Sequence, residues 1–174
     1  LSKYEPLKEP RITVIPDTKM LVVETVGDPN EVGGKAFGLL FKAYYKVKSG
    51  AGAPGFQAPR ARWPKPLETP KEQWVGMYAL PAPTDLYKMP QVKDGDLEVK
   101  LDVWKYGETA EILHEGPYSE EAPTVDKLHA FVKKSGYEIA GPHEEEYIKG
   151  PGMFFKGNPE NYRTIIRYNV KKNK

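Results

Sequence analysis

The sequence predicts an α+β fold in which antiparallel strands are interrupted by two helices. Three observations carry that prediction. Residues 97–106 alternate apolar and polar side chains as a half-buried strand does. Two segments, 36–47 and 125–132, space their apolar residues by three and four as an amphipathic helix does. The 17 Pro and 16 Gly cluster at the joints between these segments. A chain of 174 residues, 39% of them hydrophobic, suits one domain or two small halves sharing a core.

In chain order, residues 11–15 and 20–26 are expected strands, rich in β-branched residues and bracketed by Pro10, Pro16-Asp17 and Gly27-Asp28-Pro29. Asn30 offers a helix cap, and Ala36, Phe37, Leu40, Phe41, Tyr44 and Val47 form an apolar stripe ending near Ser49-Gly50. The proline-dense residues 50–71 then exclude a helix and starve a central strand of ladder donors, so they are expected to form a long connecting loop. Within it, Phe56 and Trp63 either fold over a pocket as a lid or pin the loop to the body. Residues 73–80 and 97–106 are further strands. In the latter, Leu97, Val99, Leu101 and Val103 oppose Glu98, Lys100, Asp102 and Trp104.

The second half follows the same plan. Residues 109–115 are an expected strand, followed by the turn Gly116-Pro117-Tyr118. Ser119 or Thr124 can cap a helix with the stripe Val125, Leu128, Phe131 and Val132, which stops at Ser135-Gly136. Residues 144–149 and 162–170 close the chain as strands. Each half thus reads strand, Gly-containing turn, helix, strand, strand. The expectation is one domain over 1–174 built from tandem repeats, about 11–106 and about 108–171. Pseudo-twofold symmetry would place an antiparallel sheet and the two main helices around a central cleft, where ligands commonly sit.

Composition removes several function classes. The 26 Lys+Arg against 24 Asp+Glu leave a net charge of +2, too little for a nucleic-acid binder that works by bulk electrostatics. Without cysteine there is no disulfide, thiol nucleophile or Cys-ligated metal. The longest apolar run, residues 36–41, is far shorter than a membrane-spanning helix, so membrane insertion is not expected of these residues. The chain begins at Leu1 rather than Met; a signal or anchor segment ahead of it stays open, and a cytoplasmic location is the expectation.

The segment from His143 to Pro151 carries the strongest chemical signal. On a strand, Glu145 and Tyr147 share one face while Glu144, Glu146 and Ile148 share the other. At least one carboxylate therefore points inward, where it is costly unless paired, protonated or opposed by a cationic ligand. The alternative is a solvent-facing edge strand. Trp104, on an otherwise polar face, either stacks on a ligand or lies under the long loop. His114, before the Gly-Pro-Tyr turn, is a candidate ligand contact, and His129 reads as a helix-surface residue. No His-x-x-x-His is present, so neither metal nor cofactor is expected. Gly33-Gly34 lacks a phosphate-binding fingerprint, no Gly-x-Ser-x-Gly elbow occurs, and Arg60, Arg62, Lys65 and Lys71 read as solvated surface.

The stretch Ala110-Glu-Ile-Leu-His-Glu-Gly-Pro-Tyr118, the following helix, Ser135-Gly136-Tyr137 and His143-x-Glu145-x-Tyr147-Ile148 resemble the GyrI-like small-molecule-binding domain. That family also supplies the effector-binding domains of BmrR-type and some AraC-type regulators. Residues 14–23 and Gly27-Asp28-Pro29-Asn30 resemble the first repeat of its stand-alone members, and residues 162–170 its closing strand. The resemblance implies an aromatic cleft that takes lipophilic, often cationic or planar aromatic molecules, with Glu145 as its central carboxylate and Tyr147 beside it. Tyr118, Trp104, His114 and Tyr44 complete the candidate lining.

Some stand-alone members are reported to hydrolyse cyclopropane-bearing genotoxins. In that alternative Glu145 would orient or deprotonate the attacking water. Here the sequence departs from the family, which has Asp-Pro after the Glu-x-Tyr strand where this chain has Lys149-Gly150-Pro151, and the missing carboxylate weighs against catalysis. A haem or tetrapyrrole carrier of SOUL type and a gyrase-inhibiting protein partner are lesser readings. No DNA-binding segment fits before Arg11, which disfavours a regulator.

Overall fold

The computed structural model describes residues 2–48, 57–66, 68–151 and 157–174. In chain order the regular elements are β1 (Arg11–Ile15), β2 (Thr18–Val26), α1 (Pro29–Val47), β3 (Arg60–Trp63), β4 (Val75–Pro81), β5 (Lys93–Asp94), β6 (Leu97–Glu98) and β7 (Lys100–Trp104). There follow β8 (Gly107–Glu115), α2 (Ala122–Lys134), β9 (Tyr137–Ile139), β10 (His143–Lys149) and β11 (Arg163–Lys172). A 3-10 helix, Ser2–Lys8, precedes them and was not foreseen; its Leu7 is buried against Leu113 and Ile165. The fold is α+β, with antiparallel strand pairing and two main helices, as the sequence predicts.

The chain groups into two compact units, Asp17–Lys105 and, together, Leu1–Pro16 with Tyr106–Lys174. In the first, β3, β4, β2 and β7 are neighbours in that order, and α1 packs on β2 and β4. Helix α1 is capped by Asp28 rather than by Asn30. Asp28 is held extended before Pro29, and its carboxylate accepts the Asn30 backbone N–H at 2.9 Å. Its buried face includes Ala36, Leu40, Ala43, Tyr44 and Val47. β3 corrects the loop expectation. Pro59 and Pro64 bracket four residues that all carry an N–H, and these pair with β4 from Arg60↔Ala79 to Arg62↔Met77. Trp63 is buried there; Phe56 lies outside the described residues.

The expected strand over 97–106 is broken. Leu97–Glu98 turn back on Lys93–Asp94, Val99 N–H bonds Val92 C=O, and only Lys100–Trp104 pairs with β2. At its end the alternation inverts, with Val103 exposed and Trp104 buried. The Arg62 guanidinium covers the Trp104 ring at 4.2 Å, so Arg62 is a packing partner and not merely solvated surface.

In the second unit β1, β8, β11 and β10 are neighbours in that order, and β9 pairs with the far end of β11. β1 pairs with β8, from Arg11↔Glu111 to Ile15↔Gly107, and so groups with the C-terminal half. One sheet face carries Ala110, Ile112, Ile166, Tyr168 and Val170 against Leu128 and Val132 of α2. The other face buries charge. Arg167 Nε meets Glu111 Oε2 at 3.0 Å, Nη1 meets Glu144 Oε2 at 2.9 Å, and Nη2 meets Glu146 Oε2 at 2.7 Å. Arg11 Nη2 reaches the other Glu111 oxygen at 2.7 Å, and the Tyr106 hydroxyl donates to Glu144 Oε1 at 3.0 Å. Burial works against the Arg167 charge, but Glu146, Glu144 and Glu111 overcome it and hold the guanidinium ionised above its ordinary range.

This network is directional and buried, so removing its cation leaves carboxylates stranded. Arg167→Met is expected to cost about 3–5 kcal/mol in denaturant-unfolding stability. Adding Glu144→Gln and Glu146→Gln to that variant should recover most of the loss.

Candidate functional site

β10 presents three consecutive glutamates, and all three are at least largely buried. Strand alternation sends Glu144 and Glu146 to Arg167. Glu145, opposite Ile166, faces the α2 side of the sheet and is 8% exposed. Its oxygens meet His143 Nε2 at 2.6 Å and the Tyr147 hydroxyl, which donates at 3.1 Å. The second ring nitrogen of His143 lies 2.5 Å from the Tyr168 hydroxyl. The three residues Glu121, His143 and Glu145 each direct one polar atom to a common point, all within 4.8 Å of one another.

Glu121 was not among the predicted site residues. It lies at the N-cap position of α2 but makes no side-chain cap bond. Neither expected cap serves the helix: Ser119 sits in the 3-10 turn Tyr118–Glu120, and Thr124 Oγ1 bonds His114 Nδ1 at 2.8 Å. Glu121 Oε1 is sealed from solvent with no hydrogen-bond donor facing it among the described residues. The group it meets is Glu145, and two carboxyl groups share a site only across a proton. Burial first, then the charge of Glu145 and a hydrogen bond to it, push the Glu121 carboxyl up to about 9.

Phenols enclose the pair. The Tyr118 ring stands edge-on to Tyr147, centroids 5.8 Å apart, and tilts against Tyr162 at 5.3 Å. Tyr118 is 38% exposed, whereas Tyr162 and Tyr168 are buried. Burial, followed by the Glu145 charge, holds Tyr118, Tyr147 and Tyr168 in the phenol form well above their ordinary range. His129 packs on Tyr168 at 4.8 Å; burial and then His143 lower its pKa. Gly150 has a definite role: a Cβ there would lie 2.8 Å from the Tyr118 hydroxyl. A side chain at position 150 would therefore push the Tyr118 hydroxyl aside.

Of the predicted residues, Glu145, Tyr147 and Tyr118 converge. His114 shares their sheet face, through the rungs His114↔Thr164 and Tyr147↔Thr164, but spends its second ring nitrogen on Pro117 C=O at 2.9 Å. Tyr44 and Trp104 belong to the first unit, Tyr44 buried on α1 and Trp104 under Arg62.

Comparison with known proteins agrees with the fold. The profile of the GyrI-like small molecule binding domain matches residues 8–171, and the chain belongs to that family. An uncharacterized conserved protein from Listeria innocua superposes with a TM-score of 0.80 at 26% identity, covering 98% of this chain and 96% of its own. A hydrolase from the same organism gives a TM-score of 0.78 at 25% identity, with coverages of 98% and 95%. The EcmrR C-terminal domain, at 17% identity and a TM-score of 0.66, covers 95% of this chain and 98% of its own, and shows the shared fold. Comparison with curated proteins finds no match. No helix among the described residues is long and apolar enough to cross a membrane.

The Glu121 proton sets a pH dependence with a definite sign. The unfolded carboxyl releases it near 4.5 and the native one near 9, so between those values the native state binds the extra proton. The Glu121 share of stability is therefore present below the lower value and lost as pH rises toward the upper one. Glu121→Gln should melt increasingly above wild type as pH is raised through that window. Melting curves at a series of pH values check this; a constant difference would contradict it.

Proposed function

We propose that this protein binds lipophilic, cationic, planar aromatic small molecules at Glu145. The observation that carries the reading is the contrast along one strand. Glu144 and Glu146 share the guanidinium of Arg167, whereas Glu145, equally buried, has His143, Tyr147 and Glu121 as partners and, among the described residues, no Lys or Arg. A buried carboxylate held by phenols and a neighbouring carboxyl is matched to a cation from outside, which gains charge pairing and the faces of tyrosine rings together. Tyr118, the exposed ring of the set, is the side chain a ligand displaces to reach the carboxylate. Family membership supports small-molecule binding in general.

A second reading rests on the carboxyl pair. A protonated Glu121 beside Glu145 is an acid next to a base, the equipment for hydrolysing a strained electrophile by activating water and protonating the leaving atom. The hydrolase relative from Listeria innocua lends this weight. Binding comes first because charge complementarity follows from the geometry directly, while turnover needs a substrate posed against both carboxyls.

The test compares 1-methylquinolinium with its neutral isostere 1-methylnaphthalene by calorimetry. Glu145→Gln should weaken the cation at least about tenfold, the loss of one buried charge pair, and leave the neutral ring within about threefold. Equal losses for both, or none for either, would overturn the reading. Release of product from a cyclopropane-bearing electrophile by wild type, abolished in Glu145→Gln, would establish the hydrolase.

A further inference from the structure

The atoms that converge beside α2 are all electron-pair donors: one oxygen each from Glu121 and Glu145, and one ring nitrogen of His143, mutually within 4.8 Å. His143 and Glu145 are 7% and 8% exposed. Each is also held by a tyrosine hydroxyl on its far side, His143 by Tyr168 and Glu145 by Tyr147. His143 Nε2 and Glu145 Oε2 lie 2.6 Å apart across a proton; an ion that displaces this proton meets a lone pair on each atom, with Nδ1–H then donating to the Tyr168 oxygen. With Oε1 of Glu145 accepting the Tyr147 phenol, Oε2 is the oxygen turned to His143. Such outer hydrogen bonds to the far side of an imidazole and a carboxylate are what hold metal ligands in place.

Two further observations point the same way. Glu121 Oε1 is buried with no donor, although it stands where a helix cap would ordinarily be used. The hydroxyl of Thr164, fully buried on the same sheet face directly opposite Tyr147, also has no hydrogen-bond partner among the described residues. A buried polar atom without a partner calls for one, and a bound ion with its water is one such partner.

We propose that Glu121, His143 and Glu145 form a mononuclear site for a divalent first-row metal ion of the zinc or manganese kind. The donor set, two carboxylate oxygens and one imidazole nitrogen, suits these ions, and two carboxylates neutralise the dication so that it can be held in a buried place. Tetrahedral ligands at about 2.0–2.2 Å from an ion lie about 3.3–3.6 Å apart, so on binding His143 Nε2 and Glu145 Oε2 part from 2.6 Å and the Glu121 oxygen draws in. The site was not legible as a motif because two ligands are adjacent on one strand face, at i and i+2, and the third comes from a loop 22 positions upstream of His143. The inference does not rest on the organic-cation reading, although both use Glu145.

The test uses the untagged chain after dialysis against EDTA, titrated calorimetrically with Zn²⁺ and with Mn²⁺ in the absence of any organic ligand. One ion per chain is expected for at least one of the two metals, weakened at least about tenfold by Glu121→Gln and again by His143→Gln. Glu121→Gln keeps the fold assessable, because that side chain makes no cap bond; circular dichroism confirms it. Pulsed EPR of wild type loaded with less than one equivalent of Cu²⁺ gives a readout free of mutation, and should show coupling to a single imidazole. No saturable binding of either ion, undiminished binding in a folded Glu121→Gln, or an EPR signal with no imidazole or more than one would overturn the proposal. Calorimetry of 1-methylquinolinium in EDTA tests the organic reading separately, so either can fail alone.

Discussion

Burying three adjacent glutamates on one strand is the constraint around which the C-terminal unit is arranged. A β-strand sends consecutive side chains to opposite faces, so Glu144, Glu145 and Glu146 cannot share one counter-ion. Two of them find Arg167, which the register of β11 sets directly opposite Glu144, and Glu111 on β8 joins from the other side. That face is closed: every carboxylate on it meets a guanidinium or a phenol. The α2 face receives the odd carboxylate with no guanidinium partner among the described residues. Its solution is chemically different, with an imidazole, phenols and a protonated neighbour in place of a fixed cation.

The local structure around α2 serves this second face. The strand β8 ends in a turn at Gly116, whose φ of 117° is left to glycine, and Pro117 and Tyr118 follow. That turn carries Tyr118 to Tyr147 and Tyr162, and brings Glu121 round to Glu145. The helix forgoes a side-chain cap in the process, a local stability cost of about 1 kcal/mol that Leu128 and Val132 packing on the sheet outweighs. A carboxyl that could have capped backbone N–H groups is directed at another carboxyl. Local propensity and site geometry conflict here, and conflicts of this kind mark functional places in a fold.

Most elements were legible because their signals are local. The period of two in β2 and β8, the helical stripes of α1 and α2, and the Gly-Pro punctuation all lie within a few residues of the elements they define. Errors arose where one pattern spanned two structures. The alternation over 97–106 runs across a hairpin and a separate strand, and the prolines of residues 50–71 conceal a strand whose four residues contain no proline. In the site, face sharing set Glu145 beside Tyr147 but left a solvent-facing strand open, and only the resemblance to the GyrI-like domain singled out Glu145. Glu121 was not legible, since an acidic residue before a helix is ordinary sequence and its pairing spans a long stretch of chain. Arg167 did leave a signal: an arginine inside Ile165-Ile166-Arg167-Tyr168 on a closing strand is a buried cation in need of carboxylates.

In the proposed function, Glu145 accepts an external cation in place of the proton it shares with Glu121. Calorimetry of 1-methylquinolinium binding near neutral pH, repeated in two buffers of different ionisation enthalpy, measures the protons exchanged. Replacement of the shared proton predicts release of about one proton per cation bound, and none in Glu121→Gln. Binding with no buffer dependence in wild type, or the same release in both proteins, would contradict it.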